Sequence, residues 1–278
     1  MMSLFHQISQ HCSRHTTEVY STSFASAIKL LHQELRQPVF NIYGFVRLAD
    51  EIVDTFHGYD KPKLMARFRE DTWLAIRDGI SLNPVLHSFQ QTVNRYGIAP
   101  ALIEAFFTSM EMDLHKQYYS DEQYRQYIYG SAEVVGLMCL TVFCEGDQEQ
   151  YARLQPHAQS LGAAFQKVNF LRDMKADAQQ LQRIYFPGVD LHQLRPADKE
   201  AIEQDIEADF THAFEGILQL PWKARFGVYV AYKYYYSLFN KIRRTEAARI
   251  LEERIRIPNF YKWLILLRAG VKNQLRMI

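Results

Sequence analysis

Two acid pairs stand out among the residues able to do chemistry: Asp50 and Asp54 in RLADEIVD, and Asp173 and Asp177 in NFLRDMKAD. Within each pair the acids are four residues apart in an apolar-periodic stretch, a spacing that puts both carboxylates on one face of a helix. Like charges so placed cost an isolated helix about 0.2–0.5 kcal/mol, so their repetition predicts something cationic between the pairs. With no Cys or His beside them, the carboxylates favour a hard, oxygen-seeking ion, Mg²⁺ first and Mn²⁺ second, over zinc. Mg²⁺ keeps several waters and takes a few carboxylates plus substrate phosphates, so the two pairs are expected to hold ions together with a phosphate-bearing ligand. A di-iron bundle would need Glu-x-x-His on two helices, and none of the ten histidines has Glu three residues before it.

Tyr43, Arg47, Asp50 and Asp54 follow intervals of four, three and four. Gln166, Asn169, Asp173 and Asp177 follow intervals of three, four and four, so each set forms one polar stripe on one helix. Phe45, Val46, Leu48, Ala49, Ile52 and Val53 flank the first stripe, and Ala163, Ala164, Phe165, Val168, Phe170 and Leu171 the second. Such flanks are expected of helices buried on their sides that present polar groups to an interior cavity. The competing reading, a solvated charged face, would have to arise twice independently. No GxGxxG or Walker-type loop is present to cradle phosphate. That task falls to metal and to the guanidinium groups of Arg47, Arg172 and Arg183, which can fork onto phosphate oxygens. No serine-centred hydrolase motif is present either. Tyr20, Phe24, Tyr43, Tyr127 and Tyr129 lie near the polar motifs, and rings facing a cavity would stabilise a carbocation by about 0.5–2 kcal/mol each. The tyrosines of AYKYYYSLF circle a helix, so only one or two of them can face any one cavity.

Long helices are needed to position these residues, and the rest of the chain reads that way. Its 278 residues are 48% hydrophobic and 23% charged, and glycine (12) and proline (9) fall mostly between amphipathic segments. Helices are predicted near 3–33, 39–57, 62–78, 84–96, 100–118, 121–145, 148–181, 197–218, 221–246 and 258–274, with no strand or hairpin signal. The expectation is one all-α domain over 1–278. Gln182 to Pro196, the least helical stretch, follows the second acid motif and is a candidate lid. Thirty-two basic residues balance 31 acidic ones, which gives no field for nucleic acid. Three cysteines without a CxxC, and an N-terminus lacking a signal peptide's apolar core, predict a cytoplasmic protein with reduced thiols. No run of about 18 uninterrupted apolar residues predicts a transmembrane helix. The C-terminal stretch mixes Trp, Leu and Ile with Lys262, Arg268, Lys272 and Arg276, as a helix touching a membrane surface would.

Taken together, YSTSF (20–24), YGFVRLADEIVD (43–54), YGSAEVVGLMCL (129–140), QKVNFLRDMKAD (166–177) and RIYFP (183–187) resemble the squalene/phytoene synthase family. The resemblance covers roughly residues 15–255, and RIYFP is more similar to the phytoene-forming branch than to eukaryotic squalene synthases. It implies an isoprenoid-synthase-type helical bundle with a central active-site cavity. The implied reaction joins two prenyl diphosphates head to head through a cyclopropylcarbinyl diphosphate, with two diphosphates released; on the phytoene-forming branch the substrate is geranylgeranyl diphosphate and no reductant is used. By this resemblance Asp50, Asp54, Asp173 and Asp177 bind Mg²⁺ and diphosphate, with Glu51 beside the first pair and Gln166 and Asn169 beside the second. Ser21, Arg47, Arg172 and Arg183 match diphosphate contacts, and Phe24, Tyr43, Tyr127 and Tyr185 match positions lining or closing the cavity. The chain departs from the family at Glu133, where glycine is common, and lacks a tyrosine near Arg249 to Arg254. The rival readings are a squalene or dehydrosqualene synthase using farnesyl diphosphate, a non-catalytic helical assembly factor, and a metal-dependent phosphohydrolase. Greasy substrates and product imply reversible association with the cytosolic membrane face.

Overall fold

The expected alternation of helix and break is what the chain adopts. A computed structural model describes residues 2–115, 119–176, 185–189, 194–251 and 254–274. In chain order the helices are α1 (Met2–Tyr20), α2 (Thr22–Ile28), α3 (Gln33–Asp54), α4 (Lys61–Asp78), α5 (Pro84–Tyr96), α6 (Pro100–His115) and α7 (Asp121–Ile128). A π turn (Tyr129–Glu133) follows, then α8 (Val134–Cys144), α9 (Gln148–Ala176), α10 (Pro196–Gln219), α11 (Trp222–Arg243), α12 (Ala247–Ile250) and α13 (Asn259–Gln274). No strand occurs among the described residues. Asp177, Arg183 and the parts 182–184 and 190–193 of the candidate lid lie outside them.

Helix α3 packs against α1, α2, α4, α5, α6 and α8, and α9 packs against α7, α8, α10, α11, α12 and the π turn, so the two stripe-bearing helices form opposite sides of the bundle with α8 touching both. Helix α8 is apolar all round, as a helix enclosed by others must be. Read as one piece, Asp121–Cys144 is long and apolar enough to cross a membrane, but 56% of its most apolar window is buried inside the bundle. On the outer side of α3, Phe45 stacks on Phe89 at 3.9 Å and meets Phe68, Phe106 and Phe107. Burying each such ring contributes about 1.5–3 kcal/mol. The buried Lys167 ties α9 to α10 through Asp205 at 2.5 Å and Asp209 at 2.8 Å.

Three expectations differ from the structure for local reasons. The predicted helix 3–33 breaks at Ser21, whose extended backbone (φ −146°, ψ 93°) lets its hydroxyl accept from the Phe24 N–H as an N-cap. Pro38, in the gap between the predicted helices 3–33 and 39–57, lies inside α3, and Pro156, within the predicted helix 148–181, lies inside α9. Each removes one helical hydrogen bond, and packing of the buried α3 face around Leu35, Val39, Phe40 and Ile42 outweighs that cost of about 3 kcal/mol. The predicted helix 121–145 contains the π turn, wedged where two glycines allow close backbone approach. A Cβ on Gly130 would lie 2.4 Å from the Ala105 carbonyl of α6, and one on Gly162 of α9 would lie 2.7 Å from the Ala132 carbonyl.

Candidate active site

Both polar stripes open into one cavity of about 530 Å³. On α3 its wall runs from Val39 and Ile42 to Tyr43, Arg47 and Asp50; on α9 it runs from Leu154, Ala158 and Leu161 to Gln166, Asn169, Arg172 and Asp173. Each helix therefore changes from apolar to polar toward its C-terminal end. At about 1.5 Å per residue, Leu154 and Asp173 are roughly 28 Å apart along α9. Aliphatic side chains of α2, α8, α10 and α11 complete the apolar part.

On the α3 wall the Arg47 guanidinium lies 3.7 Å from Asp50, bonds the Glu51 carboxylate, and sits 4.3 Å from the centre of the Tyr20 ring. Its Nε is buried with no hydrogen-bond partner. Burial works to lower the Arg47 pKa, but Asp50 and Glu51 beside it outweigh this and hold it charged. Asp50 shows 32% of its side-chain surface and lines the cavity. Burial, with Asp54 next, pushes its carboxyl up to about 8, against the opposing pull of Arg47. Glu51 accepts from Thr55 as well as Arg47 and is not among the cavity-lining residues. Asp54 is the last residue of α3. Burial raises the Tyr43 hydroxyl to about 12, so it stays protonated and able to donate, with Ser21 as a hydrogen-bond partner. The Phe24 ring packs 5.7 Å from Tyr43 and 5.9 Å from Phe165, bridging the two walls.

On the α9 wall Arg172 grips Asp173 through Nε at 3.0 Å and a terminal nitrogen at 2.5 Å. Burial opposes the guanidinium's charge, but the bonds to Asp173 and Tyr235 raise its pKa. Asn169 Oδ1 accepts from the Tyr235 hydroxyl at 3.2 Å. Of the AYKYYYSLF tyrosines, Tyr235 alone lines the cavity; Tyr232 and Tyr236 stack on each other near Phe210. Tyr127 also lines the cavity, whereas Tyr185 is buried behind it. Glu133, the departure from the family pattern, does not line the cavity and accepts from Gln159 at 2.9 Å.

Sequence reasoning missed Arg254 and Asp113. Arg254 lines the cavity with its Nε 2.7 Å from Asp173. Asp113 is buried among tyrosines, and its charge contributes to the raised pKa of Asp50. Asp113 shares the helix PALIEAFFTSMEMDLH with Glu104 and Glu111, and nothing in the spacing marked it or Arg254.

Among the described residues no three His, Cys, Asp or Glu side chains converge into a ready-made metal cluster. The donors present still fit Mg²⁺. Burial, with the charge of Asp54 next, drives Asp50 toward protonation, which a divalent cation would oppose, and few carboxylates with remaining positions left to water and phosphate oxygens is the manner of that ion.

The sequence profile described as squalene/phytoene synthase matches residues 17–261. A phytoene synthase of Pseudescherichia vulneris is 31% identical over 178 residues, 60% of this chain and 56% of that protein, so the match spans little more than half its length. A 15-cis-phytoene synthase of Enterobacter agglomerans is 26% identical over 81% of this chain and 83% of its own. The crystal structure of a dehydrosqualene synthase with a bound ligand superposes with a TM-score of 0.81, covering 98% of both chains at 21% identity. The architecture is therefore the isoprenoid-synthase-type helical fold.

Proposed function

We propose that this chain, which belongs to the squalene/phytoene synthase family, is a phytoene synthase. It would condense two molecules of geranylgeranyl diphosphate head to head, through prephytoene diphosphate, to a C40 hydrocarbon. The observation that carries the reading is that Asp50 and Asp173, from two separate polar stripes, line one cavity whose other walls are apolar. Family membership supports the reaction class, and relatives named phytoene synthase support the C20 substrate.

In this reading Asp50, Asp54, Asp173 and Asp177 hold Mg²⁺ with the diphosphate, and Glu51 stands behind the first pair. The ion, when bound, neutralises charge growing on the departing diphosphate. Arg47, Arg172, Arg183 and Arg254 bind phosphate oxygens, with Ser21, Gln166 and Asn169 beside them. Tyr43, protonated at neutral pH, donates to the leaving oxygen. Phe24, Phe165, Tyr127 and Tyr235 present ring faces to the allylic cation, and the apolar walls keep water from quenching it. In each of the two ionisations a C–O bond breaks and carbon is left electron-deficient. A proton then leaves carbon, and the released diphosphate is the base we assign to it.

We place the enzyme in the cytoplasm, reversibly associated with the membrane face through α13, where exposed Trp263 and Leu267 lie beside Arg268 and Lys272. The test is incubation of purified protein with Mg²⁺ and either geranylgeranyl or farnesyl diphosphate, without NADPH, and identification of the hydrocarbon by mass. A C40 product supports the proposal. A C30 product moves the assignment to dehydrosqualene synthesis, and no hydrocarbon from either substrate overturns it.

A further inference from the structure

Behind the cavity wall three tyrosines converge on one carboxylate. Asp113 of α6 is buried; its Oδ2 accepts from the Tyr127 hydroxyl at 2.7 Å, and its Oδ1 accepts from Tyr119 at 3.0 Å and lies 3.5 Å from the Tyr185 hydroxyl. The three rings are packed together, with centroids 5.1–5.4 Å apart. Of these four residues Tyr127 alone lines the cavity.

A buried carboxylate is costly, and an apolar side chain of similar size would serve the core better if packing were all that mattered. At 2.7 Å the Tyr127–Asp113 bond is short enough to be the strong, charge-assisted kind when the carboxyl is ionised. Such a bond does two things to Tyr127. It fixes the ring against the cavity wall, and it commits the phenolic proton to Asp113, which leaves the ring and its oxygen richer in electron density toward the cavity. Burial, with Asp113 adding to it, holds the Tyr127 hydroxyl well above the usual phenol range, so the residue stays neutral while so engaged.

We propose that Asp113 is a positioning residue for the condensation, acting through Tyr127 to aim an electron-rich ring at the carbocation. Tyr119 donates to the same carboxylate, and the Tyr185 hydroxyl lies at its edge. The inference rests on the synthase reading given above.

The experiment compares wild type, Asp113→Asn, Tyr127→Phe and the double variant, each purified and assayed with Mg²⁺ and geranylgeranyl diphosphate. It measures kcat, KM and the fraction of turnovers stopping at the cyclopropylcarbinyl diphosphate. We expect Asp113→Asn to lower kcat tenfold or more with KM within about twofold, and the double variant to be no worse than Tyr127→Phe. Wild-type kcat in Asp113→Asn, or losses that multiply in the double variant, would overturn the proposal. Should Asp113→Asn not fold, Tyr127→Phe carries the test, since it keeps the ring and removes only the bond to Asp113; wild-type kcat there overturns the proposal equally. A wild-type protein that forms no hydrocarbon overturns both this inference and the synthase reading, whereas normal wild-type turnover with an unaffected variant overturns this inference alone.

Discussion

Arg254 Nε lies 2.7 Å from Asp173 Oδ1, on a carboxylate that Arg172 already grips from the neighbouring position. A guanidinium next to Asp173 in sequence and another 81 residues from it thus share one acid. Arg254 keeps 49% of its side-chain surface, so the ion pair itself contributes only about 0–1 kcal/mol to stability. In the proposed function it places a second fork beside the α9 acids for phosphate oxygens. Arg254→Ala is expected to leave the melting temperature within a few degrees of wild type. It should lower kcat/KM by roughly 10- to 100-fold, the equivalent of about 1.5–3 kcal/mol for hydrogen bonds to a charged group, with Arg254→Lys between the two. Steady-state kinetics beside thermal melts would separate these effects; a parallel fall in both would assign Arg254 to stability instead.

Asp50→Asn and Asp173→Asn remove charge with little change of shape. Each is expected to cost more than about 100-fold in turnover, as loss of a charge-stabilising group typically does. Helical circular dichroism should be unaltered, since neither side chain is part of the apolar core. Calorimetric titration with Mg²⁺ and an unreactive diphosphate should show weakened joint binding in both variants. Undiminished binding would remove the carboxylates from the metal-holding role.

Glu133 supplies a pH test away from the cavity. Burial raises its carboxyl pKa, against the opposing hydrogen bond from Gln159. A carboxyl that ionises near 4.3 in the unfolded chain and higher in the fold binds more protons when folded across that interval. Wild-type stability from this group is therefore full below the unfolded value and is lost as pH rises through the folded one. Glu133→Gln keeps an oxygen for Gln159 and removes the titration. Its melting temperature should match wild type at low pH and exceed it increasingly above the ordinary Glu range, with kcat unchanged. A constant offset at every pH would mean that the carboxyl does not titrate abnormally.

The stripe through Tyr43, Arg47 and Asp50 was legible in the sequence because helical spacing alone decides which side chains share a face, and the structure brings all three to the cavity. The same logic extends to Gln166, Asn169 and Asp173. Long-range partners leave no such trace. Arg254 meets Asp173, and Tyr185 meets Asp113, only because distant segments fold together, and no periodicity encodes that. The break at Ser21 was hidden for a different reason: one capping hydroxyl outweighs helix-compatible residues on both sides. Pro38 erred the other way, since local propensity marked a break that burial of the surrounding face overrides.

The π turn offers the last test, because its place between α6 and α9 depends on two missing side chains. A methyl group on Gly130 would meet the Ala105 carbonyl at 2.4 Å and Ser109 Cβ at 2.8 Å, and one on Gly162 would meet the Ala132 carbonyl at 2.7 Å and Glu133 Cα at 2.9 Å. Backbone atoms cannot swing aside, so each Gly→Ala change must separate helices, at an overpacking cost of about 1–3 kcal/mol. That should lower the melting temperature by several degrees. Gly270→Ala is the control: nothing lies near its added methyl, and exchanging helical glycine for alanine should stabilise by up to about 1 kcal/mol. Gly130→Ala should also reduce kcat more than its stability loss explains, because Tyr127 sits one turn before the displaced backbone. Melting curves and turnover for the three variants would check this order, and a Gly130→Ala protein as stable and active as wild type would show that the π turn can move freely.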